Sequence, residues 1–205
     1  MTIRNWIRFF INTLLIGGIV TGLASFFIRW DQFEPYIQNG EIGAILSSLL
    51  WFVFVGFTFS VISQMGYFAY LTLHQFGLGL FKSVWNPVQV VIIAFVLFDL
   101  IYFRFKAFAI EGDSYVPYIL LGFGIVIIGM IVAYFKTKQS PQNTFIPALF
   151  FMVVVTVLEW LPVLLVNSIK WLYLMLIALL VCNAYQLLAL PKYIQKSKVE
   201  RENKK

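Results

Sequence analysis

The chain has 205 residues, 61% of them apolar and only 12% charged, and its mean hydropathy is +0.88. A soluble domain carries about 25% charged residues, so 15 basic and nine acidic side chains cannot clothe a globule of this length. The apolar surplus is expected to face lipid, which excludes a soluble enzyme, a nucleic-acid-binding domain and a disordered chain, and leaves the net charge of +6 to membrane topology.

Runs of about 20 predominantly apolar residues, enough for a helix to cross a ~30 Å hydrocarbon core, occur at 9–28, 42–64, 87–103, 115–135, 145–166 and 171–190. Lipid cannot satisfy free backbone N–H and C=O groups, and none of the runs alternates apolar with polar residues as a barrel strand would. The predicted fold class is therefore all-α, a bundle of six transmembrane helices. Residues 1–190 form a single transmembrane domain on this reading, and 191–205 a basic tail.

The first run follows Arg4 and Arg8 and reaches Gly22-Leu23-Ala24-Ser25, where small residues take the places of a signal-peptidase site. The run is long for a signal sequence and the even span count favours retention, so an uncleaved helix is expected. Gly18 and Gly22 give it a GxxxG contact face. Along and beyond the second run, Ser60, Gln64, Tyr67 and His74 share one face if the helix continues past Gln64. Such groups commonly hydrogen-bond to neighbouring helices. His74 would lie near the cytoplasmic surface, as a polar anchor or as a group titrating near neutral pH.

Residues 75–86, QFGLGLFKSVWN, are too few to span and too apolar for a solvated loop. They read as an interfacial or re-entrant segment on the inner leaflet. Phe76, Leu80, Phe81 and Trp85 make it a candidate contact for a partner's membrane-proximal helix.

The third and fifth runs each carry one carboxylate, Asp99 and Glu159, a residue type that costs about 2.5–3.5 kcal/mol at the centre of a membrane helix. Pro162, three residues after Glu159, removes a backbone hydrogen bond and is expected to kink that helix. Gly122, Gly124 and Gly129 lighten part of the fourth run. Cys182 lies inside the apolar sixth, where neither an internal disulfide nor a thiolate is expected. With one histidine and no HExxH, CxxC or Gly-rich loop ending in GK[ST], the sequence predicts no catalytic residue, no cofactor and no metal. Trp6, Trp30, Trp85 and Trp171 fall near span ends, as interfacial indoles do. Trp51 and Trp160 are expected to pack between helices.

Orientation follows from the basic residues. With the N-terminus in the cytoplasm, Arg4, Arg8, Lys82, Lys136, Lys138 and six residues of the tail lie inside, against Arg29, Arg104, Lys106 and Lys170 outside. This satisfies the positive-inside bias, with both termini cytoplasmic. Asp99 and Glu159 then lie roughly 6 and 11 Å below the outer surface, at ~1.5 Å per residue. Together with Gln64 and His74 they form a candidate intramembrane polar site, a proton- or ligand-responsive pair facing the bundle interior. The alternative is that each acid is neutralised by an outer-side arginine or lysine and only orders the bundle. The tail offers about 1 kcal/mol per basic residue of attraction to anionic membrane lipid.

The stretch MGYFAYLTLHQFGLGLFKSVWNPVQVVIIAFVLFDLIYFRF and the opening RNWIRFFINTLLIGG resemble the family of KinB-signalling pathway activation proteins (KbaA) from endospore-forming bacteria. The length and six-run pattern fit over the whole chain. The resemblance implies a multi-pass protein of the bacterial cytoplasmic membrane, needed for a membrane-bound sensor histidine kinase to feed the sporulation phosphorelay. It carries no catalytic motif. A non-enzymatic regulator with a kinase partner is the function expected. The competing reading is a small transporter or ligand receptor using Asp99 and Glu159, although the first three runs and the last three share no repeated pattern. An intramembrane protease would need a zinc motif, paired aspartates or a Ser–His combination at matching depth, and the chain has none of these.

Overall fold

The computed structural model describes residues 1–110, 112–140 and 144–203; Lys204 and Lys205, counted above in the basic tail, lie outside the described residues. The fold is all-helical, with no strand among the described residues. In chain order the α-helices are α1 (Ile3–Ile28), α2 (Trp30–Gln38), α3 (Ile42–Phe81), α4 (Trp85–Phe98), α5 (Arg104–Phe108), α6 (Val116–Lys138), α7 (Phe145–Phe150), α8 (Thr156–Val166) and α9 (Ile169–Glu202). Two π-helical segments, Asp99–Phe103 and Phe151–Val155, join α4 to α5 and α7 to α8.

Among the described residues, five helical stretches are long and apolar enough to cross a membrane: Ile3–Ile28, Ile42–Phe108, Val116–Lys138, Phe145–Val166 and Ile169–Glu202. The second of these takes in two of the six apolar runs. Helix α3 does not stop near Gln64, because no proline or polar cluster interrupts the sequence before Phe81. Residues 75–81, read from the sequence as part of an interfacial or re-entrant segment, form its last two turns.

The break comes at Lys82, whose φ of +48° ends α3 in the left-handed conformation common just past a helix C-terminus. A short 3-10 turn, Lys82–Val84, follows. The chain then folds back on itself. Trp85 Nε1 donates to His74 Nδ1 at 3.0 Å, whereas 11 residues of straight helix would hold them roughly 16 Å apart. The stretch is therefore two helices, which makes six long helices among the described residues. Asn167, at φ +52°, makes the equivalent turn before α9, with asparagine in the conformation it tolerates best after glycine.

The sequence leaves the backbone of the basic tail open. Helix α9 runs through Pro191 to Glu202, so the described part of the basic tail is helical. Its Ser197 hydroxyl folds back to donate to the Tyr193 carbonyl at 2.7 Å.

The chain divides into two compact units, Met1–Met65 with Glu159–Lys205, and Gly66–Leu158. In the first, α1 and α9 lie antiparallel. Asn5 meets Ser197 and Glu200, each at 3.0 Å, Asn12 donates to Tyr193 at 2.7 Å, and Cys182 faces the Thr13 carbonyl. An Arg4–Glu200 ion pair of 2.7 Å closes one end.

Helix α3 approaches α1 through glycines: a Cβ on Gly56 would stand 2.5 Å from the Gly17 carbonyl oxygen, and Gly18 and Gly22 face Phe57 and Val53. The GxxxG face expected in the first run thus packs inside the molecule. Trp160 is buried, donating to the Leu172 carbonyl at 3.0 Å, while Trp51, expected to pack between helices, is 62% exposed.

In the second unit Gly129 of α6 admits Leu149, Met152 and Val153, and Gly122 admits Ile101, whereas Gly124 has open space around it. The Tyr70 hydroxyl donates to the Pro147 carbonyl at 2.8 Å, tying α3 to α7.

Candidate functional site

Polar side chains inside so apolar a chain concentrate in two places. The first is a hydrogen-bonded relay in the first unit. Gln186 Nε2 donates to Ser63 Oγ at 2.5 Å, and the Ser63 hydroxyl donates to Asn183 Oδ1 at 2.6 Å. Asn183 Nδ2 then donates to Glu159 Oε2 at 2.8 Å. All four side chains are buried, Glu159 with 7% exposure. Asn183 and Gln186, three residues apart on α9, share a face that meets Ser63 of α3. The three relay bonds run toward the Glu159 carboxyl, and Gln186 Nε2 also donates to the Cys182 carbonyl at 3.3 Å.

Beside the relay, Ser60 touches Cys182 at 3.6 Å, and its hydroxyl donates to its own helix at the Gly56 carbonyl at 2.9 Å. Glu159 Oε1, Gln186 Oε1 and both amide atoms of Gln64 have no hydrogen-bond partner among the described residues.

Two of the outer-side cations expected to neutralise the acids are committed elsewhere. Lys170 pairs with Asp31 at 2.6 Å, and this hydrogen bond holds the Asp31 carboxyl below the usual carboxylate range. The Arg29 guanidinium lies over the Trp171 ring at 4.3 Å and the Phe52 ring at 5.2 Å. Neither meets Glu159, whose polar partner is a carboxamide. Asp99 and His74 belong to the second unit and have different surroundings from Glu159. Asp99 is exposed and opens the π-helical segment Asp99–Phe103.

The second concentration is aromatic. His74 lies between Tyr70, at 5.6 Å between ring centroids, and Trp85, at 6.3 Å. Trp85 also stacks on Phe81 at 5.7 Å, and Tyr70 packs on Phe151 at 5.0 Å. Because Nδ1 of His74 accepts from the indole, a neutral ring carries its proton on Nε2.

Trp85 is 4% exposed and turned inward, where Gly77 leaves room for its ring; it is not available as a surface contact. Phe76 and Leu80 are 66% and 77% exposed. They flank Gly79 in a shallow groove of about 330 Å³ completed by Gln75. Trp85→Phe keeps the ring and loses the indole hydrogen bond. It should lower stability in detergent by about 1 kcal/mol, read from the unfolding midpoint.

Sequence reading missed Ser63, Asn183 and Gln186. Their signal was available: the latter two are polar residues at helical spacing within LMLIALLVCNAYQLLAL. What the sequence withholds is that this face meets Ser63 of α3.

The fold and site describe a class of protein: an all-helical chain with helices long and apolar enough to cross a membrane and a buried polar relay in its first unit. Residues 17–193 match the family KbaA, KinB-signalling pathway activation in sporulation. A similar protein, 46% identical over 198 residues, is the KinB-signaling pathway activation protein of Bacillus subtilis (strain 168); the match covers 96% of this chain and all of that relative. The chain belongs to the KinB-signalling pathway activation family. No solved structure matches it.

Proposed function

We propose that the chain is a six-span protein of the bacterial cytoplasmic membrane, with both termini in the cytoplasm, that activates a KinB-type sensor histidine kinase by contact in or beside the membrane. It acts without catalysis, as one transmembrane domain with a basic end that faces anionic lipid. The observation that carries this reading is the match along almost the whole chain to a KinB-signaling pathway activation protein. The exposed Phe76 and Leu80 around Gly79 supply a surface suited to the contact. Activation requires that this surface bind the active arrangement of the kinase better than the inactive one, since equal affinity for both shifts nothing.

The test uses a strain whose only working sporulation kinase is of the KinB type, with a phosphorelay-dependent reporter read with the gene present, deleted and restored. Output should fall on deletion and return on complementation. Phe76→Ser with Leu80→Ser should lower it while the protein stays in the membrane fraction. Output that ignores the deletion overturns the reading.

The buried Glu159, with one oxygen lacking a partner, favours the transporter or ligand-receptor alternative. That alternative predicts that Glu159→Gln abolishes function in a stably inserted protein, and the activator reading predicts that output survives.

A further inference from the structure

We propose that the outward face of α4 around Asp99 docks a membrane helix of the partner, and that this helix contributes a lysine or arginine to pair with the Asp99 carboxylate. The proposal rests on the kinase-activator reading and names the surface and the chemistry of its partner.

The argument begins with an imbalance. Asp99 is exposed, lies within the apolar stretch Ile42–Phe108, and takes no part in the Arg4–Glu200 and Lys170–Asp31 ion pairs. The next cation along its own helix, Arg104, is placed over the Tyr118 ring at 5.6 Å. An ionisable group inside a membrane helix ordinarily faces the bundle interior or a water-filled cavity and pairs there. Asp99 faces outward and makes no ion pair among the described residues, which leaves its carboxylate open to a cation from a partner helix.

The surroundings suit a helix. Val91, Phe95, Phe98 and Tyr102 recur at the spacing of one helical face and are between 42% and 68% exposed. Phe98 and Tyr102 are stacked at 5.0 Å with an interplanar angle of 15°, a ready-made shelf beside the carboxylate. The π-helical turn starts at Asp99 itself, and such turns are rare and concentrate at functional positions. Apolar area alone would suit lipid as well as protein. The negative charge set in that area selects a partner with a positive one, and charge complementarity fixes register as well as identity.

The experiment uses the full chain in native membranes of the reporter strain, with a tagged KinB-type kinase. A photo-crosslinking amino acid replaces Phe95, and Tyr102 in a second variant in case the first fails to insert; Ile128 of α6 serves as the control. The probe at 95 or 102 should capture a transmembrane segment of the kinase, and the control should not. Asp99→Asn should reduce capture by roughly tenfold or more, and Asp99→Glu should restore it. Asp99→Lys should abolish capture until a basic residue in the captured helix is changed to glutamate.

Capture of a second copy of this chain, of lipid alone, or of the kinase regardless of charge at position 99 overturns the proposal. If the chain raises reporter output while this face captures nothing, the docking surface falls and the activator reading stands. If output never depends on the chain, the activator reading falls, and with it the kinase as occupant.

Discussion

Replacing Asn183 with leucine is expected to lower stability by about 3 kcal/mol, the largest loss for any single change in the relay. Polar contacts between membrane helices are worth only about 0.6 kcal/mol on average, because the alternatives in the unfolded-in-membrane state also find partners. Asn183 is different because of what it leaves behind. Its Nδ2 is the donor on Glu159 Oε2, the other carboxylate oxygen already lacks a partner, and its Oδ1 is the acceptor for the Ser63 hydroxyl. Deleting one side of a buried hydrogen bond strands the other, at about 1–3 kcal/mol for each group left unsatisfied, whereas replacing both sides with apolar groups of like shape is often nearly neutral. Adding Glu159→Met should therefore return about 2 kcal/mol of the loss. SDS-driven unfolding in mild detergent, read by circular dichroism for the two single variants and the double, measures this. A loss near 0.6 kcal/mol with no recovery would mean the carboxylate does not depend on its carboxamide partner.

The second large effect belongs to Gly56. A methyl group there would lie 2.5 Å from the Gly17 carbonyl oxygen and 2.7 Å from the Thr21 side chain. Backbone cannot rotate away as a side chain can, so α1 and α3 must separate and the glycine face expected from the first run loses its fit. Overpacking of this kind costs about 1–3 kcal/mol, and Gly56→Ala should fall at the upper end. The same substitution at Gly124, where nothing lies within 4 Å, should be neutral or stabilising, since alanine is the better helix former by about 1 kcal/mol. Equal effects at the two positions in one unfolding assay would remove close packing as the explanation.

Much of the helical architecture is legible in the sequence, because a run of 20 apolar residues has few alternatives and because Gly18 and Gly22 announce a close contact. The turn at Lys82 is not legible. A lysine in the left-handed region has no side-chain signature, whereas Asn167 at the other sharp turn is a residue type that tolerates it. The continuation of α3 past Gln64 was readable only conditionally, from the shared face of Ser60, Gln64, Tyr67 and His74.

The two acids look alike in sequence, each a single carboxylate in an apolar run, and only packing separates them. Glu159 is turned onto α9, where Asn183 receives it, and Asp99 is turned outward. Which face of α9 meets which face of α3 depends on long-range pairing that local spacing does not encode.

The antiparallel pairing of α1 with α9 has a consequence for biosynthesis. Asn5, Asn12 and Thr13 find their partners about 170–195 residues later in the chain, so α1 leaves the ribosome well before the α9 that completes it. At about 5–20 residues per second, translation imposes a wait of roughly 10–40 s. Through that interval the first helix holds its polar face in the bilayer or the insertion machinery without its final neighbour. Ribosome-stalled intermediates ending before Trp171 should thus expose Asn5 and Thr13 to hydrogen exchange and to insertion chaperones, and release of the finished chain should close both off in a single late step.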